Sequence, residues 1–146
     1  MKRRGFTIIE LLIVMAVIAL LVGIAIPSFR AVQDQAKVAR AQGDLRVMKL
    51  AMEDYYINNN SYPADDANQA QTILLGVSNP VLESNIYDPF GATTTTLYEY
   101  KISANGSYYV VYSIGSGGSG VVTINNTGEA DTTAGSPIIV TNGQIQ

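Results

Sequence analysis

The chain has 146 residues, a formal net charge of −3, and neither cysteine nor histidine. Those two absences exclude disulfide staples, thiol or imidazole nucleophiles and bases, and the usual zinc ligands. An enzyme would have to work through Asp, Glu, Ser or Tyr alone, and the acidic balance argues against bulk attraction to nucleic acid.

Lys2, Arg3 and Arg4 open the chain, Gly5 separates them from Phe6, and each of the 24 residues from Phe6 to Phe29 except Glu10 is uncharged. As a helix this stretch spans ~36 Å, enough to cross a ~30 Å hydrocarbon core. The basic start predicts that this end stays cytoplasmic while the rest is carried outward. Gly23-Ile24-Ala25 has the small-x-small pattern of an ordinary secretory signal. Against that reading, the apolar run is longer than a signal's, and Glu10 sits where the apolar block should begin. A permanently embedded, unprocessed anchor is a third alternative.

Glu10 needs a partner, because a carboxylate in an apolar helix costs a few kcal/mol to insert. No Lys or Arg lies between it and Arg30. An intrachain partner could only be Arg3, Arg4 or a freed amine, and cleavage after Gly5 would free the α-amino group of Phe6 at the helix end. That amine can pair with its own Glu10 or with Glu10 of a neighbouring copy. The second pairing would set the axial stagger of helices packed side by side. The plain alternative is a Glu tolerated at the membrane edge.

Lys2-Arg3-Arg4-Gly5-Phe6-Thr7-Ile8-Ile9-Glu10-Leu11-Leu12-Ile13-Val14, with the apolar run to Ile26-Pro27-Ser28-Phe29, resembles the N-terminus of bacterial type IV pilins and type II secretion pseudopilins. The resemblance covers about the first thirty residues. It implies cleavage between Gly5 and Phe6 by a prepilin peptidase, N-methylation of Phe6, and a role for Glu10 in guiding subunits into a helical filament. Removing residues 1–5 leaves six basic against 12 acidic side chains, a net charge of −6. Many type IV pilins close their C-terminal region with a disulfide, and this chain departs from that pattern.

The hydrophobic pattern predicts one long helix from Phe6 to about Asn58, with residues 6–29 in the membrane or filament core. Gly23 and Pro27 are its weak points, since an interior proline removes a backbone bond and clashes with the preceding turn. They predict a kink or a compliant joint. Beyond Pro27, Phe29, Val32, Ala36, Ala39, Leu45, Met48, Met52 and Tyr55 fall near helical spacing, with charges on the other sides. The stripe from Leu45 to Tyr56 is expected to dock on the sheet that follows; a ligand groove is the alternative. Asn58-Asn59-Asn60-Ser61-Tyr62-Pro63 ends the helix, asparagine tolerating the left-handed turn and proline blocking continuation.

Residues 64–90 read as a connection with a short helical turn over Gln69–Leu75 and a turn at Tyr87-Asp88-Pro89-Phe90-Gly91. Strand signals follow at Leu97–Ser103, Ser107–Ile114, Val121–Asn125 and Ile138–Thr141, with turns at Ala104-Asn105-Gly106 and Asn126-Thr127-Gly128. The fold class is α+β: a long N-terminal helix packed on an antiparallel sheet of three or four strands. The subdivision is a leader at 1–5, a membrane and filament-core helix at 6–29, and a globular part at 30–146. That part comprises an amphipathic half-helix (30–58), a connecting loop (59–96) and the sheet (97–146).

Asp88-Pro89-Phe90-Gly91 and the Tyr98, Tyr100, Tyr108–Gly115 run are similar to segments of major pseudopilins. Those proteins often bind calcium in the loop that follows. Here the loop is Gly115-Ser116-Gly117-Gly118-Ser119-Gly120, with Glu129 and Asp131 as the nearest carboxylates. Calcium takes several carboxylate oxygens, so a solvated loop is the expected reading, with no cofactor or metal assigned. The nine tyrosines are read as core and strand residues rather than a stacking platform.

The expected function is a structural subunit, not an enzyme, that is processed after Gly5 and polymerises with itself into a type IV pilus or pilus-like filament. A major pseudopilin of a type II secretion system is the alternative. The resemblance implies a prepilin peptidase and methyltransferase, an inner-membrane assembly platform with its ATPase, and membrane lipid before assembly as partners. It implies an inner-membrane precursor that moves to an extracellular pilus or periplasmic pseudopilus. A membrane-tethered binding module is the rival of another class; it requires that Glu10→Ala leave function intact.

Overall fold

The computed structural model describes residues 6–64, 70–78 and 80–146. The expected leader therefore lies outside the described residues. The chain divides into two compact units, 1–36 and 37–146. The first contains the start of α1 (Ile8–Asn59), which is assigned as helix without a break through Gly23 and Pro27. Thr7 caps it: its hydroxyl accepts the Glu10 N–H at 3.3 Å, and its carbonyl accepts the Leu11 N–H at 3.3 Å. The sequence Thr-x-x-Glu is that of a capping box.

The second unit is built on the C-terminal part of α1. Ala41, Leu45, Met48 and Met52 recur at helical spacing and are all buried. They pack in one cluster with Tyr98, Tyr100, Tyr109 and Val111, as the apolar stripe predicts. Asn60 ends the helix in the left-handed conformation (φ 54°), its N–H donating to the Tyr56 carbonyl at 2.7 Å. A short helix α2 (Ala70–Leu75) follows. Its Gln71 exchanges two hydrogen bonds with the backbone of Ile86, which fastens the connection.

The strands are β1 (Glu99–Ile102), β2 (Tyr109–Ser113), β3 (Val121–Ile124), β4 (Glu129–Ala134), β5 (Ile138–Thr141) and β6 (Gln144–Ile145). Where the sequence predicts one sheet, the structure has two, ordered β1-β2-β5 and β3-β4-β6. The first is antiparallel throughout, with Tyr100 opposite Val111 and Val111 opposite Val140. In the second, β3 and β4 are antiparallel and β6 joins β4 in parallel. Strand β4 is polar, with mostly exposed residues, and β6 has two residues, so neither carries the alternation that marks a strand.

Strand β2 explains the layering. All five of its residues are buried, because both faces are covered. Tyr109 and Val111 belong to the cluster with α1, whereas Val110 and Tyr112 pack with Val122 of β3 and Ala130 of β4. The period of two along a strand assigns these pairs to opposite faces. Helix, first sheet and second sheet are thus three successive layers of the unit.

Candidate functional site

The candidate site is the N-terminal face of α1. Phe6 is 81% exposed, and the large apolar side chains from Ile8 to Ile26 are all exposed, Val14 the least at 48%. The helix is long and apolar enough to cross a membrane. An apolar surface on every side of a helix has two stable environments, lipid and other helices. Glu10 is exposed in the first turn of this surface, where a carboxylate also complements the helix dipole. Among the described residues it has no ion-pair partner. Among the described residues, Glu10 is thus a carboxylate without an ion-pair partner in the first turn of an exposed apolar helix.

The expected cleavage and methylation site is half described: Phe6 is present and Gly5 lies outside the described residues. At Gly23 an added Cβ would meet nothing within 4 Å, and Pro27 lies inside the helical assignment. No metal centre accompanies these residues: the described residues contain no group of three or more His, Asp, Glu or Cys placed to hold an ion. The Glu129 carboxylate is occupied by the Asn125 amide (2.8 Å) and the Thr127 hydroxyl (3.1 Å), which hold its pKa below the ordinary value.

Two polar clamps were not foreseen in the sequence. Asp88 is buried, and its carboxylate accepts the Phe90 N–H (2.9 Å), the Ser113 hydroxyl (2.7 Å) and the Ile114 N–H (2.9 Å). The turn at 87–91 is thereby locked to the end of β2. The Asp-x-x pattern of an Asx turn signals the Phe90 bond, but nothing local signals the other two. In the second clamp, Glu53 of α1 accepts the Tyr109 hydroxyl at 2.9 Å and the Tyr62 hydroxyl at 3.2 Å. Asn142 donates to the Tyr62 oxygen and the Ser107 carbonyl, both at 3.1 Å, and accepts the Tyr109 N–H at 2.9 Å. Burial and the Glu53 carboxylate push Tyr62 up to about 12, and they raise Tyr109 in the same direction. These clamps shape the globular unit and hold no exposed reactive group.

An exposed helix long and apolar enough to cross a membrane, in a chain with a small α+β unit, fits a membrane-anchored subunit. The family described as the prokaryotic N-terminal methylation motif matches residues 1–26. The type II secretion system core protein G of Pseudomonas aeruginosa is 28% identical over 130 residues, covering 81% of this chain and 89% of that protein. The type IV wide pilus major component PilA4 of Thermus thermophilus is 41% identical over 76 residues, 52% of this chain and 56% of that one. A fimbrial protein of Neisseria meningitidis is 32% identical over 101 residues, 69% of this chain and 59% of that protein. The matches to these two pilus proteins thus span less than two thirds of their lengths. No solved structure matches the chain. The N-terminal motif and these relatives support a place for the chain in the superfamily of type IV pilins and type II secretion pseudopilins.

Proposed function

We propose that this chain is the repeating subunit of a helical filament of the type IV pilus kind. The observation that carries the proposal is an apolar helix exposed on every side, with Glu10 in its first turn and no ion-pair partner for it among the described residues. In this reading the precursor crosses the inner membrane once with its basic leader in the cytoplasm. A prepilin peptidase cuts after Gly5, and Phe6 is N-methylated. An assembly platform and its ATPase then move the subunit from lipid into the filament. The Phe6 amine of one copy and Glu10 of another pair during that transfer, and a residue-scale carboxylate sets the stagger. Gly23 and Pro27 supply a joint that gives when the filament is loaded.

Mass spectrometry of the mature N-terminus, from membranes and from sheared surface material, tests the first step. The expected chain starts at N-methylated Phe6, and a chain starting near Ile26 or at Met1 would refute it. Glu10→Ala tests the second step: filaments are expected to be lost while the precursor still inserts. Normal filaments from that variant would leave Glu10 without the proposed role.

A second reading, a periplasmic pseudopilus subunit, has one observation in its favour. Similarity to the type II secretion protein G extends over 81% of the chain, well into the globular unit. Recovery of the processed chain in the sheared surface fraction selects the pilus, and its retention in the periplasm selects the pseudopilus.

A further inference from the structure

Within the globular unit, α1 has a second apolar face that the described residues leave exposed. Val47, Leu50 and Ile57 are 39%, 63% and 79% exposed. Ala39 and Gly43 lie on the same line and are also exposed, and a Cβ at Gly43 would meet nothing within 4 Å. At 3.6 residues per turn these five positions fall within an arc of about 80°. The sheet-facing residues Ala41, Leu45, Met48 and Met52 fall within an arc of about 60° on the opposite side of the helix. One helix segment thus carries two apolar faces back to back, of which its own fold uses one.

Charges border the open face asymmetrically. Arg46 lies just beyond one margin, exposed and without a hydrogen-bond or ion-pair partner among the described residues. Asp54 lies near the other margin, and only one of its oxygens is engaged, by the Asn58 amide at 3.3 Å. The two sit eight residues apart, about 12 Å along the axis. They cannot meet within one helix. A parallel copy alongside, displaced axially by that distance, brings its Asp54 level with Arg46 of the first. Such a contact is heterologous, so it repeats from copy to copy without closing. In the sequence the same spacing continues back through Ala36, Val32 and Phe29 into the all-apolar run.

The geometry points to a lateral interface between copies of this chain on the Ala39–Ile57 face, with an Arg46–Asp54 pair setting a stagger of about 12 Å. This rests on the filament reading and adds the globular half of α1 to the assembly surface. Small residues at Ala39 and Gly43 let two backbones approach, and Val47, Leu50 and Ile57 supply the apolar area.

The chain has no cysteine of its own, so engineered pairs report cleanly. Full-length chain carrying Arg46→Cys and Asp54→Cys is assembled in the producing cell, sheared, oxidised and run without reductant. The expected result is a reducible ladder of multimers, absent from either single variant. An intrachain bond is ruled out, because a disulfide needs Cα atoms within about 7 Å. Filaments that form without a ladder, or a disulfide-linked dimer from a single variant, overturn the interface while leaving the filament reading intact. Absence of filaments from the unsubstituted chain overturns both. Charge exchange serves if the cysteine variant does not assemble. Arg46→Asp and Asp54→Arg alone should each lower filament yield about fivefold, and the combined exchange should restore it. Equal yields in all three, or no restoration, overturn the pair.

Discussion

Asp88 offers the sharpest test of how the globular unit is held. Its carboxylate is 3% exposed and accepts three hydrogen bonds of 2.7–2.9 Å, two of them from backbone N–H groups. No cation among the described residues forms an ion pair with it, so hydrogen bonds alone compensate its burial. Bonds to a charged acceptor contribute about 1.5–3 kcal/mol each, and three that share one carboxylate do not add fully. Asp88→Ala removes the acceptor and leaves three donors unpaired, at a cost of about 3–4 kcal/mol. For a domain whose whole stability is about 5–15 kcal/mol, that is a large fraction. Asp88→Asn keeps the Oδ1 bonds to Phe90 and Ser113 but turns an amide NH2 toward the Ile114 N–H, costing about 2 kcal/mol. Ser113→Ala costs about 1 kcal/mol. Urea unfolding of the detergent-solubilised full chain, followed by near-ultraviolet circular dichroism of its nine tyrosines, measures all three. An Asp88→Ala variant within about 0.5 kcal/mol of the parent, the range of an ordinary surface change, would refute the clamp.

Three further outcomes are expected. Burial and the neighbouring carboxylates raise the pKa of Tyr62 to about 12 from an ordinary 10.0, and Tyr98 and Tyr109 shift the same way. Folded phenols that resist ionisation stabilise the fold fully below pH 10, and that contribution is lost as pH rises through the folded values. Unfolding should therefore coincide with tyrosinate absorbance above about pH 10, and ordinary titration with the fold intact would contradict this. Leu45→Ala, in the core at 2% exposure, should cost about 3 kcal/mol, whereas Leu50→Ala, at 63%, should stay within about 0.5 kcal/mol in the monomer. Gly115→Ala should disrupt the β2 exit, since φ is +73° and the new Cβ would collide with the Ser136 carbonyl oxygen; a parent-like melting curve would refute that packing.

Much of this was legible in the sequence where local signals were strong. The helix end at Asn60, the sheet-facing stripe, and strands β1, β2, β3 and β5 all follow from periodicity and turn residues. Strand β4 was not, because Glu129, Asp131, Thr132 and Thr133 read as a polar loop and become a strand only by pairing with β3. The split into two sheets is equally non-local. It depends on β2 burying both faces, and Val110 and Tyr112 carry no mark that says which layer covers them. The clamps at Asp88 and Asn142 join residues 25 and 80 positions apart, beyond any spacing rule. At the N-terminus the reverse holds. The charge pattern and Glu10 were plain in the sequence, and the structure adds the Thr7 cap and the exposure.

The two clamps also bear on how a cysteine-free chain closes its C-terminal region. Asn142 ties the last residues to Tyr62, Ser107 and Tyr109, and the Thr141 carbonyl accepts Lys49 Nζ of α1 at 2.9 Å. A disulfide acts mainly by restricting the unfolded chain. A hydrogen-bonded closure acts only in the folded state, and only while its polar groups are sheltered. Tyr109, with no exposed surface, gives that shelter. This closure reaches α1 through Lys49 and Glu53, on one flank of the buried stripe. The Val47, Leu50 and Ile57 face takes no part in it. Folding of the unit therefore makes no demand on that face, which leaves its residues free to be set by contacts between copies.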